Sequence, residues 1–232
     1  MIDLRGKLDV FLITNGRSSF QYALAHLEGQ EGVEFDLHVV RDLPHSKAYR
    51  ACLKGGESPF YLRVDDDMFL HPCAVAYFNH LAVGLGRKTV MAYARLWEPW
   101  GRKFRGRTIR VIDSVKMYRR SLAAGIGFRA DARGRVDNLF KYTALKKGLV
   151  CEAHKDSVVG IHAACSIKEN ERYAKLRGEN RSLRKENWLH FDDVYRKMPF
   201  TEQAAKAGAD LVKLNRKMKS GFHKFLKGVD GG

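Results

Sequence analysis

The 232-residue chain is predicted to be an α/β protein: a mostly parallel sheet flanked by helices, with a helical, basic C-terminal extension. Three observations predict this. From Leu8 to Asp65, apolar strand-like runs alternate with amphipathic stretches in the order β-α-β-α-β, the pattern of parallel strands joined by crossover helices. Each run ends in a cluster of polar residues, so three loops converge on one edge of the sheet. From Ser166 onward the composition turns polar, charged and helix-forming, which divides the chain into a domain over 1–165 and an extension over 166–232.

The elements follow in order. "LDVFLIT" (8–14) reads as a buried strand and "NGRSS" (15–19) as a turn with a helix cap at Ser18 or Ser19. "FQYALAHLEG" puts Phe20, Leu24 and Leu27 on one helical face and stops at Gly29. "VEFDLHVV" (33–40) alternates as a second strand, "SKAYRACLKGG" reads as a helix, and "PFYLRV" (59–64) is a third strand. "HPCAVAYFNHLAVGLG" is a helix, "TVMAYARLW" a strand, "EPWGRKFRGRT" a Gly-rich basic loop and "IRVIDSVKMYRR" a further strand. "VDNLFKYTALKKG" (136–148) is a helix with Asp137 near its start; "LVCEAH" and "SVVGIH" are two short strands around a Lys155–Asp156 turn. After Pro199 a last helix carries Leu211, Leu214, Met218, Phe222 and Phe225 among lysines, an amphipathic stripe suited to core packing or to a membrane surface.

Composition sets bounds on function. With 45% hydrophobic residues and no run of 18 apolar ones, the expectation is a soluble globular protein in the cytoplasm, its four cysteines reduced. Lys and Arg number 42 against 26 acids, a formal net charge of +16 that attracts polyanions: nucleic acid, anionic lipid or phosphorylated substrates. The densest basic stretches are "RKFRGRTIR" (102–110) and "KMYRR" (116–120).

Against that charge stands "YLRVDDDMFLHP" (61–72), three consecutive carboxylates at the end of an apolar strand. Adjacent carboxylates repel unless a cation sits among them, and a hard divalent ion with oxygen ligands is the usual solution. A solvated acidic turn is the plain alternative. Strand alternation would point Asp65 and Asp67 the same way and Asp66 elsewhere.

These residues resemble the GT-A glycosyltransferases, closest to the family 2 type. There an apolar first strand ends in a polar turn, and a later strand runs into a D-x-D motif followed by a hydrophobic pair and a Pro, as "YLRVDDDMFLHP" does. An acidic pair, E-D-x-x-L, then opens a helix that ends in K-x-G, to which "VDNLFKYTALKKG" is similar, and a His follows a short apolar strand, matched by "SVVGIH". The resemblance spans residues 8 to about 165. Two features depart from it: the α/β unit usual before the D-x-D strand is missing, and Val136 stands where the family has Glu.

The resemblance implies a Rossmann-like GT-A domain that moves a sugar from a nucleoside-diphosphate donor to an acceptor hydroxyl with inversion. It implies a divalent metal, Mn2+ or Mg2+, held by Asp65, Asp67 and His162, with Asp65 shared with the ribose. Thr14, Asn15, Arg17, Asp42 and Asp66 would contact the nucleotide-sugar, and Lys47 and Arg50 its phosphates. Asp137 would be the base that takes the acceptor proton; its plain alternative is a helix cap. Trp97, Trp100 and Arg102 would contact the acceptor, expected to be an anionic or lipid-linked glycan, with the basic surface at the inner face of a membrane. Rival readings are a nucleic-acid-binding protein, which leaves the carboxylates unexplained, and a nucleotidyltransferase, for which "NGRSS" is a poor phosphate loop. Cys151, His154, His162 and Cys165 could instead make a zinc site.

Overall fold

In the computed structural model, residues 8–17, 19–104, 107–130 and 135–162 are described, with the backbone alone for 97–104, 107–111 and 156. The central strand β1 (Leu8–Thr14) is buried at every residue. It pairs in parallel with β2 (Phe35–Arg41) on one side and β3 (Phe60–Asp65) on the other. Such burial needs both faces covered, which is why the strand reads as a continuous apolar run. Val10 and Leu12 belong to one core with Leu62 and Val64, under helices α1 (Phe20–Glu28) and α3 (Ala74–Gly84). Phe11 and Ile13 belong to the other, where α2 (His45–Lys54), α4 (Arg120–Ala124) and α5 (Val136–Lys146) supply Tyr49, Ala123 and Phe140. An aromatic ladder fills this second core: Tyr61 stacks on Tyr118 at 5.2 Å, and Phe128 on Phe140 at 4.6 Å.

The strands β4 (Met68–Leu70), β5 (Thr89–Phe104), β6 (Arg107–Arg119) and β7 (Val150–His162) complete one sheet in the order β2-β1-β3-β6-β5-β7-β4. The sheet is mixed rather than mostly parallel: β6 runs antiparallel to both β3 and β5, and β4 antiparallel to β7. The expected Gly-rich loop is part of a β5–β6 hairpin, with Arg102 paired to Ile109 and Phe104 to Arg107. The ladder is irregular between Trp97 and Arg102, the stretch that holds Pro99 and Gly101, and resumes beyond it. Because β5 runs parallel to β3, it passes the carboxyl edge near Arg95, opposite Asp113 of β6, and the ribbon continues beyond that edge. The two short strands expected around Lys155–Asp156 are a single β7: His154 pairs with Ala94 and Val158 with Arg95, so the intervening residues form an irregularity in one strand. At Gly160 a Cβ would lie 2.4 Å from the Phe69 carbonyl oxygen, so only glycine lets β7 approach β4 this closely. Ser19 is the cap residue before α1 and makes no side-chain capping bond; Ser18 and the extension over 166–232 lie outside the described residues.

The opposite edge of the sheet is closed by a buried ion pair. Asp9, 1% exposed, accepts from Arg120 at 2.6 Å, from the Ser58 backbone at 3.0 Å and faces His38 Nε2 at 3.1 Å. Arg120 also donates to the carbonyls of Cys52 and Ser58, at 3.0 and 2.9 Å. Removing one partner leaves the other charge buried, so Asp9→Ala is expected to cost about 3 kcal/mol in urea unfolding. Gly56→Ala should also destabilise, since φ is +70° there and the new Cβ would lie 2.2 Å from an Asp9 carboxylate oxygen.

Candidate active site

The carboxyl ends of β1, β2 and β3 lie side by side, the place where open α/β sheets bind ligands. Thr14, the last residue of β1, ties their loops together. Its hydroxyl donates to Asp66 Oδ2 at 2.6 Å and accepts from the Gly16 amide at 3.0 Å. Its carbonyl accepts from the Asp42 amide at 3.0 Å, and the Asp66 amide donates to Ile13 at 3.0 Å. Asp42 holds a left-handed φ of +54°, a conformation Asp tolerates better than most residues, at the turn that follows β2. Asn15 and Arg17 are buried in this knot, 8% and 9% exposed. Lys47 and Arg50 stand exposed on α2, and Arg50 folds back onto the Ser46 carbonyl.

Asp66 is the deepest of the three carboxylates, not the outward one. The alternation argument fails because β3 ends at Asp65; Asp66 and Asp67 form the turn into β4, where side chains no longer alternate. Burial pushes the Asp66 carboxyl up to about 6, and Arg17 at 3.3 Å and the Thr14 hydroxyl partly offset that. At Asp67 the burial penalty is outweighed by Arg17, which donates to Oδ2, and by His162, whose Nε2 lies 3.5 Å from the same oxygen; the group is held well below the usual carboxylate range. His162 arrives there because β7 pairs with β4 directly after the aspartates, with Met68 opposite His162.

Asp65 takes another direction. Its Oδ2 lies 3.7 Å from Arg63 Nη2, while its buried Oδ1 has no hydrogen-bond partner among the described residues. The structure therefore joins Asp67 and His162 but turns Asp65 toward Arg63. Among the described residues no three His, Cys, Asp or Glu side chains surround a common cation position. The pair nevertheless suits a hard cation, because Mg2+-type ions are held by one or two carboxylates together with substrate phosphates rather than by all-protein cages. Of the four residues of the alternative zinc site, His162 lies beside Asp67, and Cys165 lies outside the described residues.

Arg63 leads to Asp137. Asp137 sits in the first turn of α5. Its Oδ1 accepts from Arg63 Nη1 at 3.1 Å and from the Tyr118 hydroxyl at 3.3 Å, its Oδ2 from Lys116 Nζ at 2.8 Å. The Arg63 guanidinium lies over the Tyr49 ring at 4.2 Å. Arg63, Lys116 and Tyr118 were not among the residues singled out from the sequence. One signal was there: an arginine inside the otherwise apolar "FYLRV". Trp97, Trp100 and Arg102 belong to β5, whose backbone reaches this edge.

No family model and no curated protein matches the chain. Solved structures do. TarS residues 1–349 from S. aureus align with a TM-score of 0.52 at 16% identity, over 78% of this chain and 67% of that one. A longer TarS structure aligns with a TM-score of 0.54 at 17% identity, over 78% of this chain and 41% of that one. Glucosyl-3-phosphoglycerate synthase from Mycobacterium tuberculosis, solved with Mn2+, UDP and phosphoglyceric acid, aligns with a TM-score of 0.51 at 13% identity, over 79% of this chain and 85% of that one. At such identities the likeness speaks for the fold: the chain has the GT-A architecture of these glycosyltransferases.

Proposed function

We propose that the protein is a glycosyltransferase that moves a sugar from a nucleoside-diphosphate donor to an acceptor hydroxyl, with inversion and with the help of a divalent cation. The observation that carries this reading is the meeting of Asp67, His162 and Arg17 at the carboxyl edge, next to the Thr14–Asp66 knot. Asp67 and His162 would hold Mn2+ or Mg2+, with Asp65 contributing once the donor is present. The metal supplies charge stabilisation for the departing diphosphate. Arg17 already brings positive charge to the same carboxylates and offers a second, protein-borne partner for the phosphates. Asp42, Asn15 and Thr14 line the nucleotide side, and Asp66 shapes it from beneath. Lys47 and Arg50 remain candidates for the phosphates from α2.

In the reaction the acceptor hydroxyl gives its proton to Asp137 as its oxygen bonds to the anomeric carbon. The bond from that carbon to the diphosphate oxygen breaks, and the nucleoside diphosphate leaves with the electron pair. Asp137 is suited to this by its place: on the α5 side of Arg63, across from the metal-binding carboxylates, with 30% of its side chain open to solvent. Trp97, Trp100 and Arg102 of the β5–β6 hairpin would meet the acceptor, and the many arginines of that hairpin favour an anionic or lipid-linked glycan. The same charge would draw the protein to the inner face of an anionic membrane. Among the described residues no helix is long and apolar enough to cross one.

The neighbour solved with Mn2+ and UDP suggests where to begin a test. Incubated with Mn2+ and a panel of nucleoside-diphosphate sugars, the protein should slowly release nucleoside diphosphate from one donor class, uridine donors being tried first. Chelation should stop it. Failure to cleave or bind any sugar nucleotide would contradict the proposal.

A further inference from the structure

Arg63 of β3 and Lys116 of β6 are direct cross-strand partners. Both side chains are largely buried, 3% and 13% exposed. Like charges opposite each other in a sheet repel, and a buried charge survives only with a partner. The anion that resolves this conflict comes from elsewhere in the chain: the carboxylate of Asp137, clamped at Oδ1 by Arg63 and Tyr118 and at Oδ2 by Lys116. Both of its oxygens are engaged, so its orientation is fixed. An ordinary helix-capping aspartate would not need two cations beneath it.

We propose that Arg63 and Lys116 are positioning residues that hold Asp137 ionised and in one orientation for acceptor deprotonation, extending the acid range of the reaction. The inference rests on the reading of Asp137 as the base. Arg63 from β3, Lys116 from β6 and the more distant His45 from α2 favour its charged form, and the Tyr118 hydroxyl donates to it. Asp65, 3.7 Å from Arg63, competes for that guanidinium. Burial alone would raise the proton affinity of Asp137, but the two cations reverse this and hold it well below the usual carboxylate range. A base so held is weaker toward protons but stays available in acid. The trade is between strength and range.

The test uses the full chain with carboxyl-13C aspartate, the Asp137 resonance being assigned by Asp137→Asn. In the unaltered protein Asp137 should titrate below the ordinary aspartate range. In Lys116→Met its midpoint should rise by about one pH unit or more, and the acid limb of kcat/KM should move by the same amount; each unit is a tenfold change in proton affinity. Lys116→Arg keeps the charge and should leave both nearly in place. An ordinary midpoint in the unaltered protein overturns the inference even if Lys116→Met does not fold, and so does an unmoved midpoint in a folded Lys116→Met. The reading of Asp137 as the base fails separately: Asp137→Asn would then keep its turnover although the titration behaved as described.

Discussion

Asp137→Asn should lower turnover by roughly 10²- to 10⁴-fold, the usual worth of a positioned general base, while nucleotide binding stays within about twofold. The amide keeps the size of the carboxylate but cannot take the acceptor proton. It also removes the anion between Arg63 and Lys116, so a second effect accompanies the first. Because the native carboxyl is held below its unfolded range, Asp137 stabilises the fold above that range and loses this contribution as the pH falls. The variant should therefore be less stable at neutral pH, and the gap should narrow in acid. Turnover measured under conditions where both proteins are folded separates catalysis from stability. Loss of nucleotide binding in step with turnover would place Asp137 in the donor site instead.

Arg63→Ala should be among the most destabilising changes in the domain, by about 3–5 kcal/mol. It removes both hydrogen bonds to Asp137, the contact with Asp65 and the guanidinium over Tyr49, and it leaves a hole in the second core. For a domain of this size that corresponds to a fall in melting temperature on the order of 10 °C. Arg63→Met fills the space without the charge and should recover part of the loss, because Lys116 then faces Asp137 alone. Chemical denaturation of the two variants checks this. Equal stability of Arg63→Ala and the parent protein would mean that the buried network contributes nothing net.

What the sequence made legible is the first half of the sheet and the converging loops. Apolar runs bounded by "NGR", "RD" and "DDD" reported both strand identity and strand direction, because each crossover helix forces its strands parallel. The second half was less legible, because its pairing is non-local. Nothing near Pro99 and Gly101 announces that the chain will continue as a ribbon against residues 107–113, and Lys155–Asp156 has the composition of a turn. Within the site, Thr14, Arg17, Asp67 and His162 were selected and are brought together. The position of Asp66 was misjudged because the strand period was carried one residue past the end of β3. Arg63 and Lys116 escaped for another reason: a buried cation is recognisable only once its register partner and its counter-ion are known, and here these come from β6 and α5.

The edge around Asp67 and His162 is proposed to bind a nucleoside diphosphate together with a divalent cation. Calorimetric titration of UDP and the other nucleoside diphosphates tests it most directly, with Mn2+ and with chelator, in the parent protein and in Asp67→Ala. One nucleotide should bind at least about tenfold tighter with Mn2+, and Asp67→Ala should abolish this gain. No binding of any nucleotide, or binding indifferent to both metal and Asp67, would contradict it.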